Sequence, residues 1–244
     1  MKLILCFTSV PPLCYNAPMK TATERAKVDG TTVYRKSVKP ANDNILKPGS
    51  NNKKLGFTIT KGRWRGKKIF SLTLEERATC PTYCHHWEDC YGNNMPFAHR
   101  FSNDSSLLDS IRGSVVNLLD RYPFGIVIRL HVLGDFYSTK YVSFWASLLT
   151  EFPTLSVYGY TARWDDDIAD AIQDLNQEFP NQCLIRYSRN EEYDATLGHR
   201  FAAAQDFSGD SFTCPEQTNR TDSCADCGAC WGTHCLKTVK FLSH

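Results

Sequence analysis

The sequence predicts an α/β fold: a partial or irregular β/α barrel of parallel strands and helices, with a Cys-rich metal-binding loop and a Cys-rich C-terminal segment. Three observations predict it. Short apolar runs rich in β-branched residues alternate with amphipathic stretches of roughly ten to fifteen residues, the pattern of βαβ units. The clear pairs are fewer than a complete barrel needs, so the barrel is partial, and an open doubly wound sheet is the alternative. The cysteines gather in two groups that flank the alternating region.

In chain order, residues 20–55 are polar and broken by Pro40, Pro48, Gly49 and a run of Asn, and read as an arm. LGFTITKGRWRGKKIFSLTL reads as two strands, Gly56–Thr60 and Lys67–Leu74, joined by a basic turn. The loop EERATCPTYCHHWEDCYGNN follows with the first thiols. Ser105–Tyr122 carries Leu107, Leu108, Ile111, Val115, Leu118 and Leu119 at helical spacing, with Asp104 or Ser105 as N-cap. GIVIRLHVLGDF reads as a strand buried on both faces. Tyr141–Phe152 reads as a helix stopped by Pro153, Leu155–Thr161 as a strand, and Asp166–Phe179 as a helix stopped by Pro180. Cys183–Ser188 and Phe201–Ala204 are the last strands before the terminal cysteines. The expected organisation is a basic, loosely ordered arm at 1–55, a β/α core at 56–205, and a Cys-rich metal-binding segment at 206–244.

The chain has 244 residues, 42% hydrophobic and 22% charged, which suits a globular protein and leaves no reason to read it as disordered throughout. Its net charge of +2 conceals an asymmetry: residues 20–68 hold fourteen Lys or Arg against three acids, and the remainder is net negative. A basic segment on an acidic body points to a polyanionic partner, with a merely solvated, loosely ordered arm as the bland alternative. Arg63, Trp64, Arg65, Lys67 and Lys68 combine phosphate-seeking charge with an aromatic face, as single-stranded nucleic acid requires. A hairpin with a half-buried Trp is the competing reading.

Eleven cysteines raise the question of a disulfide framework. The odd count and the two-residue spacings argue against it. The opening MKLILCFTSVPPLCYNAP has an apolar run of only about eight residues before Pro11 and Pro12, short for an export signal. Met19 is an alternative start, which leaves open whether Cys6 and Cys14 belong to the mature chain. No stretch is long enough to span a membrane. The expectation is a cytoplasmic protein whose cysteines bind metal.

Cys214, Cys224, Cys227 and Cys230 have the x9, x2, x2 spacing of a ferredoxin-like [4Fe–4S] site, with zinc as the rival, and Cys235 is a spare thiol. Cys80, Cys84 and Cys90 supply three thiols, enough for a cubane with one iron open to substrate or S-adenosylmethionine. Their x3, x5 spacing differs from the x3, x2 of radical S-adenosylmethionine enzymes. His85, His86 and Asp89 could complete a zinc site there instead, and the two groups could also share one centre.

Between the groups, Arg129, His131, Leu133 and Asp135 occupy alternate positions of a strand, so one face is expected to line a pocket. Asp135 follows Gly134 at the strand's C-terminal end and could serve as acid, base or nucleophile, with Arg129 and His131 beside it. An Arg129–Asp135 structural ion pair is the bland alternative. Tyr160, Arg163, Arg186 and Ser188 are candidates for substrate binding on the same rim.

CPTYCHHWEDCYGNNMPFAHR, IRLHVLGDFYSTKYVSFWASLL, YGYTAR, CPEQTNRTDSCADCGACW and the terminal FLSH, in this order, resemble phage and plasmid proteins of the gene-product-eighty-eight family. The resemblance covers roughly residues 67–244 and implies a mobile-element origin and a metal-bearing β/α fold, with no defined reaction. Three function classes remain: an iron–sulfur enzyme, with S-adenosylmethionine as an option, modifying nucleic acid or a nucleotide-derived substrate; a zinc-stapled base-exchange enzyme using Asp135; and a metal-stabilised nucleic-acid-binding or phage inhibitor protein.

Overall fold

The computed structural model describes residues 21–189, 201–204 (as backbone), 210–232 and 237–242. Its centre is an eight-stranded sheet. In spatial order the strands are β2 (Lys47–Pro48), β3 (Lys68–Ser71), β5 (Ile126–Leu130), β6 (Leu155–Thr161), β7 (Cys183–Arg189), β8 (Phe201–Ala204), β10 (Thr238–Phe241) and β9 (Ser211–Thr213). Every neighbouring pair is parallel except β2 with β3. A small parallel pair, β1 (Val38–Lys39) with β4 (Arg100–Phe101), stands apart.

Successive strands β3, β5, β6, β7 and β8 lie side by side in chain order, the stepwise winding expected of βα units. The sheet is nevertheless open: among the described residues no ladder joins β2 to β9, so the expected barrel gives way to a mostly parallel open sheet. The terminal segment accounts for much of the difference, because β9 and β10 extend the sheet beyond β8.

The helices form where the apolar stripes place them: α2 (Leu107–Arg121), α3 (Thr139–Glu151) and α4 (Asp167–Glu178). Ser138 and Asp166 cap α3 and α4 by accepting hydrogen bonds from Tyr141 N and Ala169 N. Asp104 accepts from Ser106 N just ahead of α2. Alternation along the strands then decides the layers. Ile126, Ile128 and Leu130 of β5, with Val157 and Ile185, pack against Ile111, Val115, Trp145, Leu148 and Ile172 of the helices. Val127, Tyr158 and Leu184, pointing the other way, pack against Leu55, Ile59, Trp64, Cys224, Ala225, Cys230 and Trp231. One face of the sheet is therefore covered by helices and the other by the cysteine segment.

The stretch read as an arm is built into this structure from Thr21 onward. Thr21 and Glu24 form a capping box on α1 (Ala22–Asp29), which Gly30 ends in the left-handed conformation. Ile45, Leu46 and Leu55 are buried. Their apolar side chains are too widely spaced to show a period, so the sequence pattern missed them. Of the predicted strand at Gly56–Thr60, only a bridge from Thr58 to Lys68 forms.

Candidate functional site

Three loops meet beyond the C-terminal ends of β3, β5 and β6. The first carries Cys80, Cys84 and Cys90; the second Asp135; the third Ala162, Arg163 and Asp166. Asp135 joins them: its carboxylate accepts from Phe136 N and Ala162 N, both at 2.7 Å, and its own N–H donates to Thr79 Oγ1 at 3.1 Å. Gly134 permits this approach. At φ +83°, its Cβ would lie 2.6 Å from Thr79 Oγ1 and 2.7 Å from Leu74 Cβ. Arg163 clamps the same three loops, donating to Phe136 O at 2.7 Å, Thr79 O at 3.4 Å and the Asp166 carboxylate at 2.8 Å.

Burial raises the Asp135 carboxyl to about 6, against the hydrogen bonds from Ala162, Thr161 and Phe136 and the charge of Arg163, which hold it down. Cys80 and Cys84 are its electrostatic neighbours, and Cys90 neighbours both of those thiols. Burial lifts Cys80 well above the usual thiol range, and Asp135, Cys84 and Cys90 lift it further. Cys84 rises to about 11 and Cys90 also rises, in each case chiefly through burial. His85 falls to about 4, through burial and then the neighbouring His86, whose ring centroid is 4.2 Å away.

The thiol loop rests on a buried polar scaffold that sequence reasoning missed. Glu76 and Arg100 are fully buried and pair at 2.6 Å. Thr32 Oγ1 donates to Glu76, and Arg100 also donates to the carbonyls of Gly92, Ala98 and Met95. A side chain on Gly92 would strike Glu76 Oε1 at 2.5 Å. Arg77 donates to Trp87 O and Asn93 Oδ1, fixing the loop from within. A lone Glu and a lone Arg twenty-four residues apart leave no pattern to read.

The second group lies on the sheet face opposite the helices. Cys214, Cys224 and Cys230 are buried, and each of these thiols is an electrostatic neighbour of the others. Burial raises Cys224 strongly and Cys230 as well. Arg186, predicted to bind substrate, holds this segment instead, donating to Cys230 O at 3.0 Å, Lys237 O at 3.3 Å and Ala229 O at 3.4 Å. Tyr160 faces the same group and meets Phe241 edge-on. The cysteines thus form two sets, and the thiol–thiol interactions of Cys80, Cys84, Cys224 and Cys230 stay within their own set. Among the described residues no three Cys, His, Asp or Glu side chains are arranged to hold a metal ion as they stand. The thiols are grouped but not converged. Cys227 is partly buried beside the second set, and Cys235 lies outside the described residues.

The sequence profile of the family described as Gene product 88 matches residues 36–233. The chain belongs to the gene product 88 family. The match begins well before residue 67, so most of the basic segment belongs to the family region rather than preceding it. No curated protein and no solved structure matches the chain.

In this gene product 88 protein, Arg129, His131 and Asp135 do not share a face. β5 ends at Leu130, so strand alternation stops before His131. Arg129 points to the second thiol set, with its guanidinium 4.9 Å from the Tyr160 ring centroid. His131 is buried toward the helices, 3.0 Å from the Tyr141 hydroxyl and edge-on to Phe136. Only Asp135 and Arg163, of the predicted catalytic and substrate residues, stand at the first thiol set, and the Arg129–Asp135 pair does not form. Ser188 sits partly buried on β7, in register with Ala202 of β8.

The basic turn is largely engaged within the fold. Trp64 is buried, stacks on Trp231 with centroids 5.6 Å apart, and donates to Asn181 O at 2.9 Å. Lys67 donates to Thr154 O and Ser156 Oγ; burial, then the charge of Arg63, lowers it to about 8. Arg63 donates to Pro180 O, and Lys68 to Thr58 Oγ1. Arg65 is exposed, as are Lys53 and Lys61. Among the described residues no helix is long and apolar enough to cross a membrane.

Proposed function

We propose that this gene product 88 protein is a metal–thiolate enzyme that modifies a nucleic acid or a nucleotide-derived substrate. Cys80, Cys84 and Cys90 hold its reactive centre, Asp135 moves the proton, and Arg163 positions the loops. One observation carries the reading: Cys80 and Cys84 neighbour a buried carboxylate, with Cys90 next to both thiols, beyond the C-terminal ends of parallel strands, where α/β sheets place their ligands. Buried neutral thiols become ligands when a cation displaces their protons, and metal binding would draw the three together. Three thiols suit an iron–sulfur centre with an open position, and S-adenosylmethionine is the kind of cosubstrate that position would take. The nucleic-acid part rests on the charge asymmetry and on exposed Lys53, Lys61 and Arg65, with the rest of the basic turn committed to the fold.

A second reading is favoured by His85. Its lowered proton affinity keeps the imidazole neutral and ready to ligate, so a zinc site of thiols with His85 suits base exchange with Asp135 as acid or nucleophile. Metal and acid-labile sulfide, measured on chain purified without oxygen, separate the two. Nucleosides released from DNA and RNA after incubation, read by mass spectrometry, then test the activity. Asp135→Asn is expected to abolish any mass change while metal content stays at the wild-type level. Wild-type protein with no metal in the first group would refute both readings.

A further inference from the structure

The second thiol set is bordered by buried hydrogen-bonding atoms that have nothing to bond. Arg129 Nε, the hydroxyls of Tyr158 and Tyr160, and Trp231 Nε1 are all sealed from solvent with no partner at full hydrogen-bonding geometry, although Tyr158 approaches Arg129 and Tyr160 approaches Cys230. They belong to one cluster: Tyr158 lies 4.7 Å from Trp231 by ring centroids, and the Arg129 guanidinium lies 6.0 Å from Tyr158 and 4.9 Å from Tyr160. The cluster faces the cysteines. The strongest electrostatic neighbours of Arg129 are Tyr158, Tyr160, Cys224 and Cys230, and Tyr160 is also a neighbour of Cys230. Among the described residues no carboxylate pairs with Arg129.

An isolated buried donor costs roughly 1–3 kcal/mol, so four in one place call for a common acceptor. Arg129 is partly buried, with Nε sealed, and a guanidinium held there without a carboxylate also favours an anion beside it. A bare zinc ion bound by thiolates brings negative charge but no acceptor atoms beyond the ligand sulfurs. An iron–sulfur cluster brings both, since its inorganic sulfides accept hydrogen bonds and the thiolate-ligated assembly is anionic.

We infer that the pocket formed by Arg129, Tyr158, Tyr160 and Trp231 against Cys214, Cys224 and Cys230 receives a sulfide-bearing iron cluster, with these four side chains as its charge-balancing and hydrogen-bonding surround. The inference rests on the reading of the cysteines as metal ligands, but not on any chemistry at the first set. It assigns Arg129 to cluster support rather than to substrate.

The test uses the full chain, purified without oxygen, in three forms: wild type, Cys80→Ser/Cys84→Ser/Cys90→Ser, and Cys224→Ser/Cys230→Ser. The triple variant is expected to retain iron and acid-labile sulfide in equal amounts, and the double variant to lose that share. Zinc alone, iron without sulfide, or no metal in the triple variant overturns the inference. Metal absent from the first set in the double variant would instead count against the proposed enzyme and leave this inference standing. Tyr158→Phe/Tyr160→Phe removes only two hydroxyls, and Arg129→Met removes the charge together with its N–H donors. Each is expected to keep the cluster and shift its reduction potential to more negative values. A potential unchanged in both variants would overturn the assigned role of the surround.

Discussion

His131 illustrates how placement, rather than residue type, sets chemistry. Burial, and then the charge of Arg129, lowers its proton affinity to about 3, so it stays neutral in the folded chain. The unfolded chain binds that proton near 6.5, so acid favours unfolding through the window from 6.5 down to about 3. Between pH 7 and pH 5 this group is expected to remove about 2 kcal/mol of stability. Urea unfolding at the two pH values should show that loss in wild type and its disappearance in His131→Phe. Glu76 and Arg100 act through charge instead. Arg100→Met leaves a buried, unpaired carboxylate and is expected to cost about 3–5 kcal/mol, whereas Arg100→Met with Glu76→Leu recovers much of it. Denaturant titration of both variants checks the order. Asp135 was readable from the sequence because a carboxylate after glycine at a strand end is unusual. The Glu76–Arg100 pair was not, because only the folded chain brings its partners together.

At the scale of elements, Trp64 joins the basic turn to the cysteine segment by stacking on Trp231. Trp64→Ala is expected to cost about 3–5 kcal/mol and to loosen residues 224–231 before the rest of the fold. Hydrogen exchange of the α5 turn (Cys224–Cys227) would show this as early loss of protection. The same variant would change oligonucleotide binding little if Trp64 is wholly structural, and sharply if it leaves the core to stack on bases. Helices α2, α3 and α4 were legible because their apolar stripes repeat at a fixed spacing. The turn was not, because its aromatic and basic residues suit a partner surface and an internal packing surface equally well.

At the scale of the molecule, parallel strands with helices on one face and cysteine-bearing loops on the other place the two thiol sets in different surroundings. The first lies beyond the strand ends, the second against the sheet. Central strands β5, β6 and β7 are paired on both sides, whereas β2 and β9 are edges. Native-state exchange is therefore expected to be slowest in the central strands and fastest at Lys47 and Ser211–Thr213. Equal protection across the sheet would show that β2 and β9 are covered in solution.

The sequence by itself determined the α/β class, helices α2, α3 and α4, strands β6, β7 and β8, the two cysteine groups and the family, because periodicity and spacing are local or ordered properties of the chain. Only the tertiary structure decided that the sheet is open, that the basic segment is part of the fold, and that Arg129, His131 and Asp135 part company. Each of those depends on where a strand ends and on what packs across from it, and neither is written in the spacing of residues along the chain.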